Sequence, residues 1–81
     1  MDNTITLYGT PSCHLCEEAY AILEPLAKAL ALNIQQIDIM DHDELLKAYG
    51  LHIPVLVTYG DELRWPFDIE SARKFLLLKK D

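Results

Sequence analysis

The sequence predicts an α/β domain: one four-stranded mixed sheet with helices on both faces. Three observations carry this. Segments of alternating apolar period (two, then three to four) follow one another in the order β-α-β-α-β-β-α. The first strand, helix and strand fit a right-handed βαβ unit, whose strands are parallel. Near the end, Gly60-Asp61 fits a two-residue hairpin turn, so the last two strands run antiparallel. The chain of 81 residues is read as one domain, 1–81, without internal repeats or linkers.

Thr4-Ile5-Thr6-Leu7-Tyr8 alternates, with Ile5 and Leu7 on one face, and Gly9 stops it. Gly9-Thr10-Pro11-Ser12 reads as a turn, and the Ser12 hydroxyl is expected to cap the helix that follows. That helix is expected from Cys13 to Leu32. Leu15, Ala19, Ile22, Leu23, Leu26 and Leu30 form its buried face. Pro25 falls inside it and is expected to kink it near Ile22–Pro25. Asn33 is read as the helix stop. Ile34 to Ile39 is read as the second strand, with Ile37 and Ile39 on one face.

Asp41 and Glu44 have the spacing of a capping box for a short second helix. Leu45, Leu46 and Tyr49 supply its apolar contacts, and Gly50 ends it. Val55-Leu56-Val57-Thr58-Tyr59 is an apolar, β-branched strand, and Glu62-Leu63-Arg64-Trp65 returns beside it at the sheet edge. Asp68 caps a last helix whose buried face is Ala72, Phe75 and Leu76, with Leu77 and Leu78 extending it or partly exposed.

Composition excludes some function classes. Thirteen acidic residues against seven Lys and Arg give a net charge of -6. Apart from Lys79-Lys80 the basic residues are scattered, so no patch is present to neutralise phosphates, and nucleic acid is not an expected partner. The start Met1-Asp2-Asn3-Thr4 lacks a basic region followed by an apolar run. No apolar stretch approaches the ~20 residues a membrane span needs. A cytoplasmic monomer without membrane association is expected.

The chemistry is expected at Cys13-His14-Leu15-Cys16, which holds the only two cysteines. At i and i+3 on a first helical turn, two cysteines share a side, within the ~5–6 Å between α-carbons that a disulfide needs. The pair alone is open to three readings: a redox centre, half of a metal site, or a structural staple. A staple closing so short a loop would stabilise little. A metal site could draw on His14 and His52 beside the cysteines. His42 and His52 are otherwise single histidines and are read as solvated.

The redox reading has a positional basis. Only a thiolate attacks a disulfide, and a helix N-terminus offers it free N–H groups and partial positive charge. Cys13 is therefore the expected nucleophile. Cys16, one turn in and more buried, would resolve the mixed disulfide. A protonated His14 would favour the Cys13 thiolate further, whereas Glu17 and Glu18 would oppose it.

Tyr8, Pro11, Cys13, Cys16, then Ile53-Pro54 before the third strand, the hairpin with Gly60, and Asp68 together resemble the thioredoxin superfamily. Within it, the chain is similar to the glutaredoxins and to short bacterial glutaredoxin-like proteins of unassigned function, over essentially its whole length. The resemblance implies a thioredoxin-like, glutaredoxin-type three-layer sandwich and a thiol-disulfide oxidoreductase. It implies catalysis by Cys13 and Cys16 and a cis Pro54 packed against them. Substrate contacts would come from Pro11, from Pro54 and from the Ile53 backbone, which would pair with a bound peptide or glutathione. Trp65 and Asp68 are secondary candidates.

No cofactor or metal is implied. The partner is a small or protein thiol or disulfide, with a reductase behind it, and glutathione is a candidate co-substrate. The chain departs from the glutaredoxin pattern at three places. His14-Leu15 stands between the cysteines instead of Pro-Tyr, Thr10 replaces a lysine, and Arg64-Trp65-Pro66 replaces a Gly-Gly pair. Three of four expected glutathione contacts are thus missing or altered. Trp65 and Phe67 are read as cover for the core, with an apolar lip at the site as the alternative. Arg64 is read as a solvated edge residue rather than a replacement cation. The alternative to an enzyme is a binding module of the same fold that docks a protein or holds metal through the same cysteines.

Overall fold

The computed structural model describes residues 3–58 and 60–78. Met1-Asp2, the expected strand residue Tyr59 and the Lys79-Lys80 pair lie outside them. The elements are β1 (Thr4–Gly9), α1 (His14–Ala29), β2 (Asn33–Asp38), a 3-10 turn (Ile39–Asp41), α2 (Asp43–Tyr49), β3 (Val55–Thr58), β4 (Asp61–Arg64) and α3 (Ile69–Leu78). The strands form one sheet in the order β2-β1-β3-β4. β1 pairs parallel with β2, as the βαβ unit requires. β3 runs antiparallel to both β1 and β4. The thioredoxin-like order β-α-β-α-β-β-α is thus the order of the folded chain.

The alternation of β1 divides the molecule. Ile5 and Leu7 point into a core with Ala19, Leu23 and Leu26 of α1, Leu56 of β3, Phe67, and Ala72 and Leu76 of α3. Helices α1 and α3 therefore share one face of the sheet. Tyr8 points to the other face, where its ring meets Tyr49 of α2 at a centroid distance of 5.1 Å. The Tyr49 hydroxyl donates to Glu62 Oε2 (2.9 Å), and Arg64 binds the other oxygen of the same carboxylate. This chain of contacts ties α2 to β4 across the sheet.

Several expected boundaries move, each for a local reason. Ser12 is not the cap of α1: the Cys13 amide donates to the Thr10 carbonyl (3.2 Å), closing a turn through Pro11-Ser12, and Cys13 becomes the cap. The buried stripe of α1 is Cys16, Ala19, Leu23, Leu26 and Ala27, so Leu15 lies one position outside it and is 44% exposed. Pro25 lies inside α1 and does not end it.

The helix ends at Ala29, before Leu32 and Asn33. The Leu32 amide donates to the Ala27 carbonyl (2.8 Å) and the Ala31 amide to the Lys28 carbonyl (3.4 Å). This is a Schellman ending with Ala31 in the left-handed position usually given to glycine, φ 57°. Asn33 then opens β2, its amide bonded to the Asn3 carbonyl (2.8 Å).

Ile39 leaves the strand for the 3-10 turn and is fully buried there. The turn is set by Asp38, whose carboxylate accepts from the Met40 amide (2.9 Å). It absorbs Asp41, so no Asp41–Glu44 capping box forms, and His42 stands at the N-cap of α2 without a side-chain bond. No residue of α2 is fully buried. Gly50 ends α2 as expected, but in a right-handed conformation. Thr58 pairs with Asp61, so Asp61 belongs to β4 rather than to the turn, and Gly60 stands at φ 82°. Asp68 caps α3 as expected, accepting from the Ser71 amide at 2.8 Å.

Candidate active site

The turn at 10–13 delivers Cys13 to the mouth of α1. Its side chain takes the place an oxygen usually holds in a helix cap: the Cys16 amide donates to Cys13 Sγ at 3.1 Å. An amide aimed at sulfur from a helix N-terminus stabilises negative charge there. Cys13 and Cys16 are joined as a disulfide, with α-carbons 5.2 Å apart. Cys13 is half-buried, whereas Cys16 is 7% exposed and belongs to the buried stripe. The two sulfurs thus differ as an exchange reaction needs, one accessible and one shielded.

Gly9 makes room for the inner sulfur. A β-carbon on Gly9 would stand 2.7 Å from Cys16 Sγ and 3.1 Å from Cys16 Cβ. The end of β1 and the first turn of α1 are therefore close-packed through Cys16. In the antiparallel register Tyr8 pairs with Val55, and its continuation sets Pro54 level with Gly9. The peptide bond Ile53-Pro54 is cis and Pro54 is buried. The Pro54 carbonyl accepts from the Trp65 amide (3.1 Å), which extends the β3–β4 ladder to the site end of the sheet. Gly9 and Cys16 are thus packed together, and Pro54 lies one residue beyond the last pair of the β1–β3 register.

The other anticipated residues have these places. His14 is 83% exposed, with Nδ1 3.5 Å from Glu17 and Nε2 3.8 Å from Glu18. Its imidazole faces the two carboxylates. Trp65 is half-buried on the core and meets Phe67 edge-on at 5.1 Å, and Phe67 is itself core. Asp68 caps α3, and the Ser71 backbone amide holds its carboxyl below the usual carboxylate range. Arg64 is occupied by Glu62, with Nη2 at 2.9 Å. Trp65-Pro66 is a second cis peptide bond, for which the sequence offered no motif.

Two adjoining grooves open beside the disulfide on the side of α1 and β2. One, of about 170 Å³, is lined by Thr10, Pro11 and Cys16 with Gln36, Ile37 and Asp38 of β2. The other, of about 290 Å³, shares Thr10, Pro11, Cys16 and Gln36 and adds Cys13, Glu17 and Tyr20. Pro11 thus lies in both, whereas Ile53, Pro54 and Trp65 line neither. Gln36, Asp38 and Tyr20 were not anticipated as site residues. The signal that could have found them is the parallel pairing of β1 with β2, which sets the ends of both strands beside the cysteines.

Among the described residues, no three His, Cys, Asp or Glu side chains are grouped as a metal site. Among them, too, no helix is long and apolar enough to cross a membrane.

The chain matches the Glutaredoxin-like domain (DUF836) over residues 4–77. It is similar to the X-ray structure of target protein XcR50 from X. campestris, at 41% identity and TM-score 0.79, covering 91% of this chain and 96% of that one. Protein Ne2328 from Nitrosomonas europaea is 29% identical, TM-score 0.76, covering 93% of this chain and 92% of that one. A mutant thioredoxin from Halobacterium salinarum NRC-1 shares the fold at 18% identity and TM-score 0.78, covering 99% of this chain and 77% of that one. No curated protein matches the chain.

Proposed function

Because this chain belongs to the Glutaredoxin-like domain family, we propose that it is a thiol-disulfide oxidoreductase working through Cys13 and Cys16. The observation that carries the reading is the Cys16 amide directed at Cys13 Sγ, 3.1 Å away, at the mouth of a 16-residue helix. In the reduced protein the Cys13 thiolate attacks one sulfur of a substrate disulfide, and one thiolate leaves and takes up a proton. The mixed disulfide on Cys13 is then attacked by the Cys16 thiolate. The second substrate thiolate departs, and the Cys13–Cys16 disulfide forms. The protein loses two electrons and the substrate gains them. The groove beside Cys13 and Cys16 gives one arm of a substrate a place to lie.

The test is a pair of coupled assays, one supplying electrons from glutathione and its reductase, the other from a thioredoxin reductase. Turnover in at least one is expected. Cys13→Ser abolishes it, and Cys16→Ser traps a mixed disulfide on position 13. Equal activity of Cys13→Ser and the unaltered protein would refute the assignment of roles. Absence of turnover in both assays, with no mixed disulfide trapped by Cys16→Ser, favours the binding-module reading.

A further inference from the structure

The charges around the grooves point to a substrate class. Their lining contains two carboxylates, Glu17 and Asp38, and no basic side chain. Asp38 gives one oxygen to the Met40 amide, and Glu17 is 73% exposed beside Cys13. Glu18 follows on the same helical turn. His14 is the near basic side chain, and it stands between Glu17 and Glu18 rather than over the groove.

The arginines that could lend positive charge are committed elsewhere. Arg64 is held by Glu62, and Arg73 by Glu70 at 3.2 Å. Lys28 lies in the last turn of α1, eleven residues from Glu17 and so roughly 16 Å along the axis. A carboxylated disulfide arm entering here meets like charge and, among the residues that line the grooves, no basic side chain. An ammonium-bearing arm meets two carboxylates in a partly enclosed groove.

We propose, on the basis of the oxidoreductase reading above, that the site selects disulfides whose arms carry ammonium groups over disulfides whose arms carry carboxylates. The discrimination acts on approach to Cys13 and on seating of the first arm in the groove. It is long-ranged and therefore sensitive to salt. Each carboxylate attracts an ammonium arm and repels a carboxylate arm, so both effects widen the ratio of the two rates. Two carboxylates acting on substrates of opposite sign then give on the order of tenfold discrimination at low ionic strength.

The experiment is a single-turnover one with the reduced protein. Its oxidation is timed with three small disulfides: cystamine (cationic), bis(2-hydroxyethyl) disulfide (neutral) and dithiodiglycolate (anionic). Each rate constant is divided by that of the same disulfide with 2-mercaptoethanol thiolate, which removes intrinsic reactivity and the charge of the attacking sulfur. The expected normalised order is cationic, then neutral, then anionic, spanning about tenfold at 20 mM salt and collapsing toward unity at 500 mM. In a Glu17→Gln, Asp38→Asn double variant the low-salt ratio narrows to about threefold or less. The Asn keeps an acceptor for the Met40 amide.

Equal or inverted normalised rates with efficient oxidation overturn the inference and leave the oxidoreductase reading standing. A preference that the double variant does not reduce overturns the assignment to Glu17 and Asp38. If none of the three disulfides oxidises the protein, the oxidoreductase reading itself fails and the inference falls with it.

Discussion

Gly9→Ala is the substitution whose effect can be worked furthest from the structure. Gly9 is buried at the end of β1 and does not occupy the left-handed region, so backbone conformation is not at issue. What matters is space: the new methyl would stand 2.7 Å from Cys16 Sγ and 3.1 Å from Cys16 Cβ. In the oxidised protein that sulfur is bonded to Cys13 and cannot turn away. Overpacking of this kind costs about 1–3 kcal/mol. In the reduced protein the thiol can rotate aside, at a cost of about 0.5–1.5 kcal/mol.

The oxidised form is therefore destabilised more, by about 1 kcal/mol. For a two-electron couple, 30 mV corresponds to ~1.4 kcal/mol, so the potential should rise by about 20 mV. Thermal melts of both forms, with a redox titration against a thiol buffer, measure the two sides of the cycle. Each kcal/mol moves Tm by about 4–8 °C in a domain of this size. Gly50→Ala serves as the control. Its β-carbon would meet the Leu46 carbonyl oxygen at 2.6 Å, away from the cysteines, so both forms should lose stability equally. A Gly9→Ala protein with unchanged melts, or with a lowered potential, would refute the reasoning.

Three further outcomes can be checked. Ala31→Gly should stabilise the protein, because the left-handed position costs a residue with a β-carbon about 1–2 kcal/mol and glycine gives back roughly 0.5–1 in chain entropy; a Tm raised by a few degrees is expected, and a lowered one contradicts the Schellman ending. Asp68→Ala should lower Tm by a few degrees at neutral pH through loss of the α3 cap. The folded-state carboxyl of Asp68 lies below its ordinary value, so its contribution is complete above that value and fades as pH falls through the folded one. The gap in Tm between Asp68→Ala and the unaltered protein should accordingly close in acid. Tyr49→Phe should move the Glu62 carboxyl up toward its ordinary range, since the Tyr49 hydroxyl is the main cause of its lowering and Arg64 the second; carbon-detected titration of the carboxyl reads the shift, and an unmoved midpoint rules the hydrogen bond out.

Local pattern was enough to read the frame. The alternation of Ile5 and Leu7, the stripe through Ala19, Leu23 and Leu26, and the pair Ala72 and Leu76 are where the periodicity puts them, because one buried face decides each. Cap positions slipped by a residue or two where two local bonds compete. The turn at Thr10 takes the role from Ser12, and Asp38 captures the Met40 amide before Asp41 can start α2. The cysteine pair was legible because its chemistry sits within one helical turn.

The grooves were not legible. Gln36, Asp38 and Tyr20 reach the site through the β1–β2 pairing and the packing of α1. Neither leaves a local signature in the sequence. The sequence also suggested His14 as a partner for Cys13, whereas its ring lies against Glu17 and Glu18. At i+3 and i+4 on an exposed helical face, carboxylates are its natural neighbours.

The central claim is that helix α1 makes Cys13 the activated thiol and keeps Cys16 in reserve. The most direct measurement is the rate of alkylation of each cysteine in the reduced protein as a function of pH, with the labelled residue identified by peptide mass. Cys13 is expected to be labelled first, with a midpoint below the ~8.5 of an ordinary thiol, and Cys16 slowly throughout. A Cys13 midpoint at the ordinary value, or labelling of Cys16 before Cys13, would contradict that claim.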